Sequence, residues 1–168
     1  MTTDDLAQRA LALVAAPSET GSERPAIDLV ASWLEPVADE VDRWVTPMSE
    51  LEGDPAYPGR EVERDEVPVV AARVAGNRPG PVVVLTGHID VVPVGDRDRW
   101  TRDPAGELDG DLLYGRGSAD MKSGVVAAIE AFTRVANGDR DFAGELRFVA
   151  VPGEEDGGTG TLAAIRRG

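Results

Sequence analysis

Apolar residues along this chain recur in two rhythms, and their alternation predicts a protein built from both helices and strands. Leu6, Ala10, Leu13 and Val14 fall at helical spacing behind Asp4 and Asp5, either of which can cap the helix, and Pro17 ends it. A second helix is expected from Ser22 as cap, with Pro25 in its first turn and Ile27, Val30 and Leu34 on one face. Val37 to Val45 reads as a strand of mixed polarity near a sheet edge. Residues 46–66, rich in Pro, Gly, Asp and Glu, read as a surface excursion without a chemical signature. Val67 to Val74 and Val82 to Leu85 read as two strands around the turn Gly76-Asn-Arg-Pro-Gly80, a spacing that predicts a hairpin. Val82 to Leu85 shows no polar alternation, so burial on both faces is expected, as in a central strand.

Residues 94–110 read as a long loop containing Trp100, followed by a short strand at Leu112-Leu-Tyr114. Ala119 to Val135 is the most apolar helix, with Val125, Val126, Ile129, Phe132 and Val135 expected in the core. Leu146 to Val151 is a further buried strand, and a last helix begins at Thr159 or Thr161. The order of elements is α/β, with a sheet that is partly parallel.

The chain has 168 residues, 42% of them apolar and only 5% aromatic, which fits one domain with a sizeable Ala, Val and Leu core. There is no cysteine, so disulfides, thiolate nucleophiles and Cys-rich zinc sites are excluded. A net charge of −14 repels phosphate backbones and argues against a nucleic-acid partner. The excess acid suits solubility or high salt, and could also attract a cationic substrate. The N-terminus lacks the basic-then-apolar pattern of a signal peptide, and no apolar run approaches the roughly 20 residues of a membrane helix. A cytoplasmic protein without a membrane partner is expected.

Three segments end hydrophobic runs in polar chemistry. His88, the only histidine, and Asp90 close Val82-Val-Val-Leu-Thr-Gly-His-Ile-Asp90, and Asp120 follows Gly115-Arg-Gly-Ser-Ala119. Glu154 and Glu155 follow the strand ending Val149-Ala-Val-Pro-Gly153. Taken singly, each has an ordinary explanation: a core histidine, a helix cap, a solvated turn. Together they suggest hard metal ligands meeting along one sheet edge. A short aspartate can be shared by two cations about 3.5–4 Å apart. A cation beside Glu155 would leave Glu154 free to take a proton from water. Asp90, two residues from His88, can fix the second imidazole nitrogen. Rival motifs fail on spacing: there is no dinucleotide fingerprint, no P-loop, and no Gly-x-Ser-x-Gly elbow. Arg102, Arg116 and Lys122 could meet a substrate carboxylate, although a plain surface role suits each.

At Gly87-His-Ile-Asp-Val-Val-Pro93, Tyr114-Gly-Arg-Gly-Ser-Ala-Asp-Met-Lys-Ser-Gly124 and Pro152-Gly-Glu-Glu-Asp-Gly-Gly158, together with Trp100, the chain resembles the M20 metallopeptidases. That family includes acetylornithine deacetylases, succinyl-diaminopimelate desuccinylases, aminoacylases and glutamate carboxypeptidases. The resemblance implies a three-layer α/β/α fold with a mixed, largely parallel sheet. Residues 1–168 would be the N-terminal part of a catalytic domain, with the lid and dimerisation domain and the C-terminal part of the catalytic domain absent. It implies two divalent metal ions, zinc first and cobalt or manganese as alternatives. His88 would ligate the first, Glu155 the second, and Asp120 would bridge them. Glu154 would be the general base, Asp90 would orient the His88 side of the site, and the Asp120-Met121 peptide would be cis. The reaction implied is hydrolysis of an amide bond in an N-acyl amino acid or small peptide, by a full-length form that is a homodimer. A second histidine ligand, which the family supplies, cannot come from this sequence. Little activity is therefore expected of these residues alone, and the alternative is a non-catalytic metal-binding or interaction protein.

Overall fold

A computed structural model describes residues 3–168. The elements are α1 (Thr3–Ala15), α2 (Arg24–Leu34), β1 (Glu40–Pro47), α3 (Met48–Glu52), β2 (Glu66–Ala75), β3 (Arg78–His88), β4 (Glu107–Asp109), β5 (Leu112–Tyr114), α4 (Ser123–Ala136), β6 (Ala143–Val151) and α5 (Thr159–Arg167). Asp4 and Asp5 occupy the first turn of α1, where carboxylates offset the helix dipole. Ser22 does not cap α2. Glu23 holds the cap position, but its carboxylate turns away to Gly21 N–H and Arg64.

The four-stranded sheet runs β1-β2-β6-β3. It is mixed and flanked by helices on both faces, as expected. Its balance departs from a largely parallel sheet, because β1–β2 and β2–β6 are antiparallel and only β3–β6 is parallel. The reason lies in the connections. β3 and β6 are joined by a long crossover through α4, which returns the chain in the same direction, whereas the five-residue α3 and its loop between β1 and β2 only reverse the chain.

The expected hairpin is also corrected: β2 and β3 are joined by a two-residue link but do not pair, since β6 lies between them. Glycine makes that crossing possible. A Cβ on Gly144 would stand 1.9 Å from Pro81 O, and one on Gly80 would stand 2.6 Å from the Ala143 carbonyl carbon. A pattern of apolar residues cannot report that a later strand will insert between two neighbours.

β3 is consequently an outer strand among the described residues. Val82, Val83 and Val84 are 52%, 51% and 51% exposed, against the expectation of burial on both faces. The strand buried on both faces is β2. Val70, Ala72 and Val74 meet α1, α2 and α4 with Phe148 and Ala150, while Val67 and Val69 meet α3 and α5 with Val151. This parity follows from the two-residue period of a strand.

Two further expectations shift. The excursion at 46–66 contains α3, whose Met48 and Leu51 are buried in the second core. The helix expected from Ala119 begins as α4 at Ser123, after an irregular turn at 118–122. Val125, Val126, Ile129 and Phe132 are buried as expected, whereas Val135 lies at the exposed margin.

Candidate metal centre

His88, the last residue of β3, is in register with Val151, the last residue of β6. The two chains therefore leave the sheet side by side at the carboxyl ends of parallel strands, where α/β folds collect ligands. Val151 leads into Pro152, Gly153 and the Glu154-Glu155 turn. Asp120 arrives from a third direction, on the turn entering α4. Gly87 lets that turn approach: a Cβ there would stand 2.8 Å from Val125 Cγ2 and 3.3 Å from Met121 Cε. Asp120 is extended, with φ −128° and ψ 101°, and the Asp120-Met121 peptide is cis.

The three segments converge. His88 Nε2 lies 3.0 Å from Asp120 Oδ1 and 3.8 Å from Glu154 Oε2. One ligand atom from each of His88, Asp120 and Glu155 falls within 4.8 Å of the other two. His88 is buried, while Asp120 and Glu154 open to solvent, their side chains 78% and 54% exposed. The cluster thus has a closed imidazole floor and an open carboxylate rim.

His88 Nδ1–H donates to the main-chain carbonyl of Asp90 at 3.1 Å. A carbonyl only accepts, so Nδ1 keeps its proton; Nε2 likewise donates to Asp120 Oδ1 at 3.0 Å, and it is the neutral form of the ring that would present the Nε2 lone pair to a metal. The Asp90 side chain is 0% exposed and does more than brace the histidine. Its Oδ1 accepts the Glu154 N–H at 3.1 Å and its Oδ2 accepts the Glu155 N–H at 3.0 Å. One carboxylate thereby couples the end of β3 to the turn after β6.

Charge is unbalanced around this point. The Asp90 and Asp120 carboxylates raise the pKa of His88 to about 9, against the opposing effect of burial. Burial works to raise Asp90, but the His88 ring and the N–H groups of Glu154 and Glu155 win, and its pKa is lowered. Glu155 is pushed up, first by burial and then by Asp120, Asp90 and Glu154, with His88 pulling the other way. Four carboxylates thus share one imidazole, an excess that a divalent cation would offset. Carboxylate oxygens with one imidazole nitrogen suit zinc, cobalt or manganese. The residues present fit a metal.

The model of peptidase family M20/M25/M40 matches residues 84–168, the stretch that holds all five of these side chains. The chain belongs to this peptidase family. Among its M20 relatives, succinyl-diaminopimelate desuccinylase of Methylobacterium radiotolerans is 38% identical over 149 residues, 86% of this chain but 33% of the relative. The chain spans about a third of the length of the curated relatives it matches. Human carnosine dipeptidase 1 shares the fold, with a TM-score of 0.71 at 21% identity over 98% of this chain and 35% of the dipeptidase. The Bacillus subtilis YXEP protein, a dinuclear metal binding peptidase from the M20 family, gives a TM-score of 0.59 at 17% identity over 96% of this chain and 39% of that protein.

Within this M20 chain the three basic candidates are hydrogen-bonded or stacked elsewhere than on the cluster's carboxylates. Lys122 has neither a surface nor a substrate-facing role. It is 1% exposed, and its ammonium donates to Ala16 O at 3.0 Å and Val14 O at 3.4 Å, with burial lowering its pKa to about 8. Arg102 bridges Glu107 and Asp109, and Arg116 stacks over Trp100 at 5.1 Å. The residues that sequence reasoning missed are Glu23, Arg64 and Asp156. They pack behind the Glu154-Glu155 turn; Asp156 falls within the motif at 152–158 but its position there suggests no role of its own, and the local spacing of Glu23 and Arg64 does not distinguish them from surface charge.

Proposed function

We propose that this chain supplies the first ligands of a two-metal centre in a hydrolase that cleaves the amide bond of an N-acyl amino acid or small peptide. The observation carrying this reading is the convergence of His88, Asp120 and Glu155 within 4.8 Å. A bound zinc, cobalt or manganese pair would polarise the substrate carbonyl and acidify the attacking water. His88 would offer Nε2 to one ion and Glu155 a carboxylate to the other, with the exposed Asp120 carboxylate between them. Glu154 stands on the open rim, where it would take the proton from water and return it to the leaving amine. Asp90, sealed from solvent, would position His88, Glu154 and Glu155 rather than touch substrate. Residues 1–168 would form the N-terminal part of the catalytic domain, with the lid and dimerisation domain and the remaining ligands elsewhere in a longer, homodimeric cytoplasmic protein; this reading rests on the one-third coverage of the relatives.

The desuccinylase relative makes an N-succinyl amino acid the first substrate class to assay, with N-acetyl amino acids and dipeptides beside it. A second reading, a metal-binding chain without turnover, is favoured by the presence of only three donors in the cluster among the described residues. Hydrolysis assays with added zinc or cobalt separate the two. Turnover that disappears in Glu154→Gln supports the hydrolase. Metal uptake without turnover in any longer form of the protein supports the second reading.

A further inference from the structure

The turn bearing Glu154 and Glu155 is gripped from two sides. On the site side Asp90 takes the N–H groups of Glu154 and Glu155. On the far side Asp156, 6% exposed, turns its carboxylate into the loop before β2, where it accepts the N–H groups of Glu61 and Val62. That loop also carries Arg64, whose guanidinium is paired with Glu23 at 2% exposure for both side chains. Glu23 Oε1 is anchored in turn by Gly21 N–H at 2.9 Å. Gly153, at the start of the turn, is wedged between these groups. A Cβ there would stand 2.5 Å from Thr159 Oγ1 and 3.2 Å from Arg64 Nη1.

Stability is a poor explanation for this arrangement. A buried ion pair gains little over apolar residues of the same volume, because two charges must be desolvated. Here Arg64 Nε and Nη1 have no hydrogen-bond partner, which adds a further cost. What a buried, directional pair does supply is a fixed position. The pair abuts the start of the turn at Gly153.

We propose that Arg64 and Asp156 are positioning residues that set the Glu154-Glu155 turn against His88 and Asp120. The inference rests on the metal-centre reading for its purpose, but its geometric content stands without metal. The segment at 58–64 therefore acts as the rear support of the site. Arg64 fixes the start of the turn and Asp156 its end, while Asp90 fixes the middle.

The test has two arms, run on this chain and on Asp156→Ala, Asp156→Asn, Arg64→Met and Arg64→Lys. Asp54→Ala serves as a control that removes the Arg166 pair and the acceptor of the Ala56 N–H, neither of which involves the Glu154-Glu155 turn. Hydrogen exchange of the metal-free protein reads the Glu154 and Glu155 amides. Cobalt titration reads affinity and the visible ligand-field band. Asp156→Ala and Arg64→Met are expected to speed exchange at both amides and weaken cobalt binding by about 10-fold or more, with a changed band. Asp156→Asn, which keeps an acceptor oxygen, and Arg64→Lys, which keeps the charge, are expected to recover part of both losses and to remain folded. The Asp54→Ala control is expected to lower the melting temperature while leaving both readouts unchanged. The proposal is overturned if the four variants lose stability like the control yet keep native exchange at Glu154 and Glu155. If the wild-type chain binds no cobalt, the metal reading fails, and the exchange arm still decides the positioning role.

Discussion

The buried carboxylate of Asp90 is hydrogen-bonded at 3.0 Å to the main-chain N–H of Glu155, 65 residues along the chain. With its second bond to Glu154 N–H, this side chain fixes where the two acids stand relative to His88. Replacing Asp90 by Ala leaves two part-buried N–H groups without their acceptor, at up to about 1–3 kcal/mol each. Urea denaturation should show a loss of that order. A zinc or cobalt titration should show affinity reduced by about 10–100-fold. Asp90→Asn keeps one acceptor oxygen and should fall between Ala and wild type in both measurements.

The imidazole of His88 sets the pH dependence. Its pKa is raised from 6.5 to about 9 by the Asp90 and Asp120 carboxylates. A raised pKa means the folded state favours the charged ring. The stability it contributes is complete below pH 6.5 and is lost as the pH climbs through about 9. Metal binding requires the neutral ring, so apparent metal affinity should move the other way and rise across the same window. An NMR titration of the imidazole signals checks the first statement. Zinc titrations across the same pH range check the second.

Gly87 is the close contact between β3 and the Asp120 turn. Gly87→Ala forces a methyl against Val125 Cγ2 at 2.8 Å and should cost about 1–3 kcal/mol. Removing the opposing methyls should relieve it. The double variant Gly87→Ala, Val125→Ala is therefore expected to be less destabilised than the sum of the two single variants. Chemical denaturation of all three closes the cycle.

The outer face of β3 predicts association. Val82, Val83 and Val84 lie half-exposed on a strand whose outer edge is unpaired among the described residues. Such an edge is a template for a second strand. Sedimentation velocity on this chain should show concentration-dependent self-association, and Val83→Lys should suppress it.

Much of this architecture was legible because periodicity reports local burial. The stripes of α1, α2 and α4, and the runs that became β2 and β6, were read from spacing alone. What spacing could not report was order across the sheet. The two-residue link after β2 looks like a hairpin turn, and only the insertion of β6 shows that it is a crossing. Val82 to Leu85 looks central because three valines stand in a row, yet their burial depends on what lies beyond them. The site divides in the same way. His88, Asp120, Glu154 and Glu155 end hydrophobic runs, so the sequence points to them. Arg64 lies amid charged loop residues, and Asp156, though inside the motif at 152–158, looks like one more solvated acid; the burial that sets both apart is created by long-range contacts. Lys122 departs from expectation for the converse reason: a lysine is expected at the surface, and the carbonyls at the C-terminus of α1 explain its burial.

The central claim is that His88, Asp120 and Glu155 act together as one metal-binding unit, and metal titration tests it most directly. Zinc and cobalt binding should be followed by calorimetry on this chain and on His88→Ala, Asp120→Ala and Glu155→Gln, with folding confirmed for each. Every one of the three substitutions is expected to weaken or abolish the same binding event. Binding of wild-type strength in all three folded variants would contradict the account.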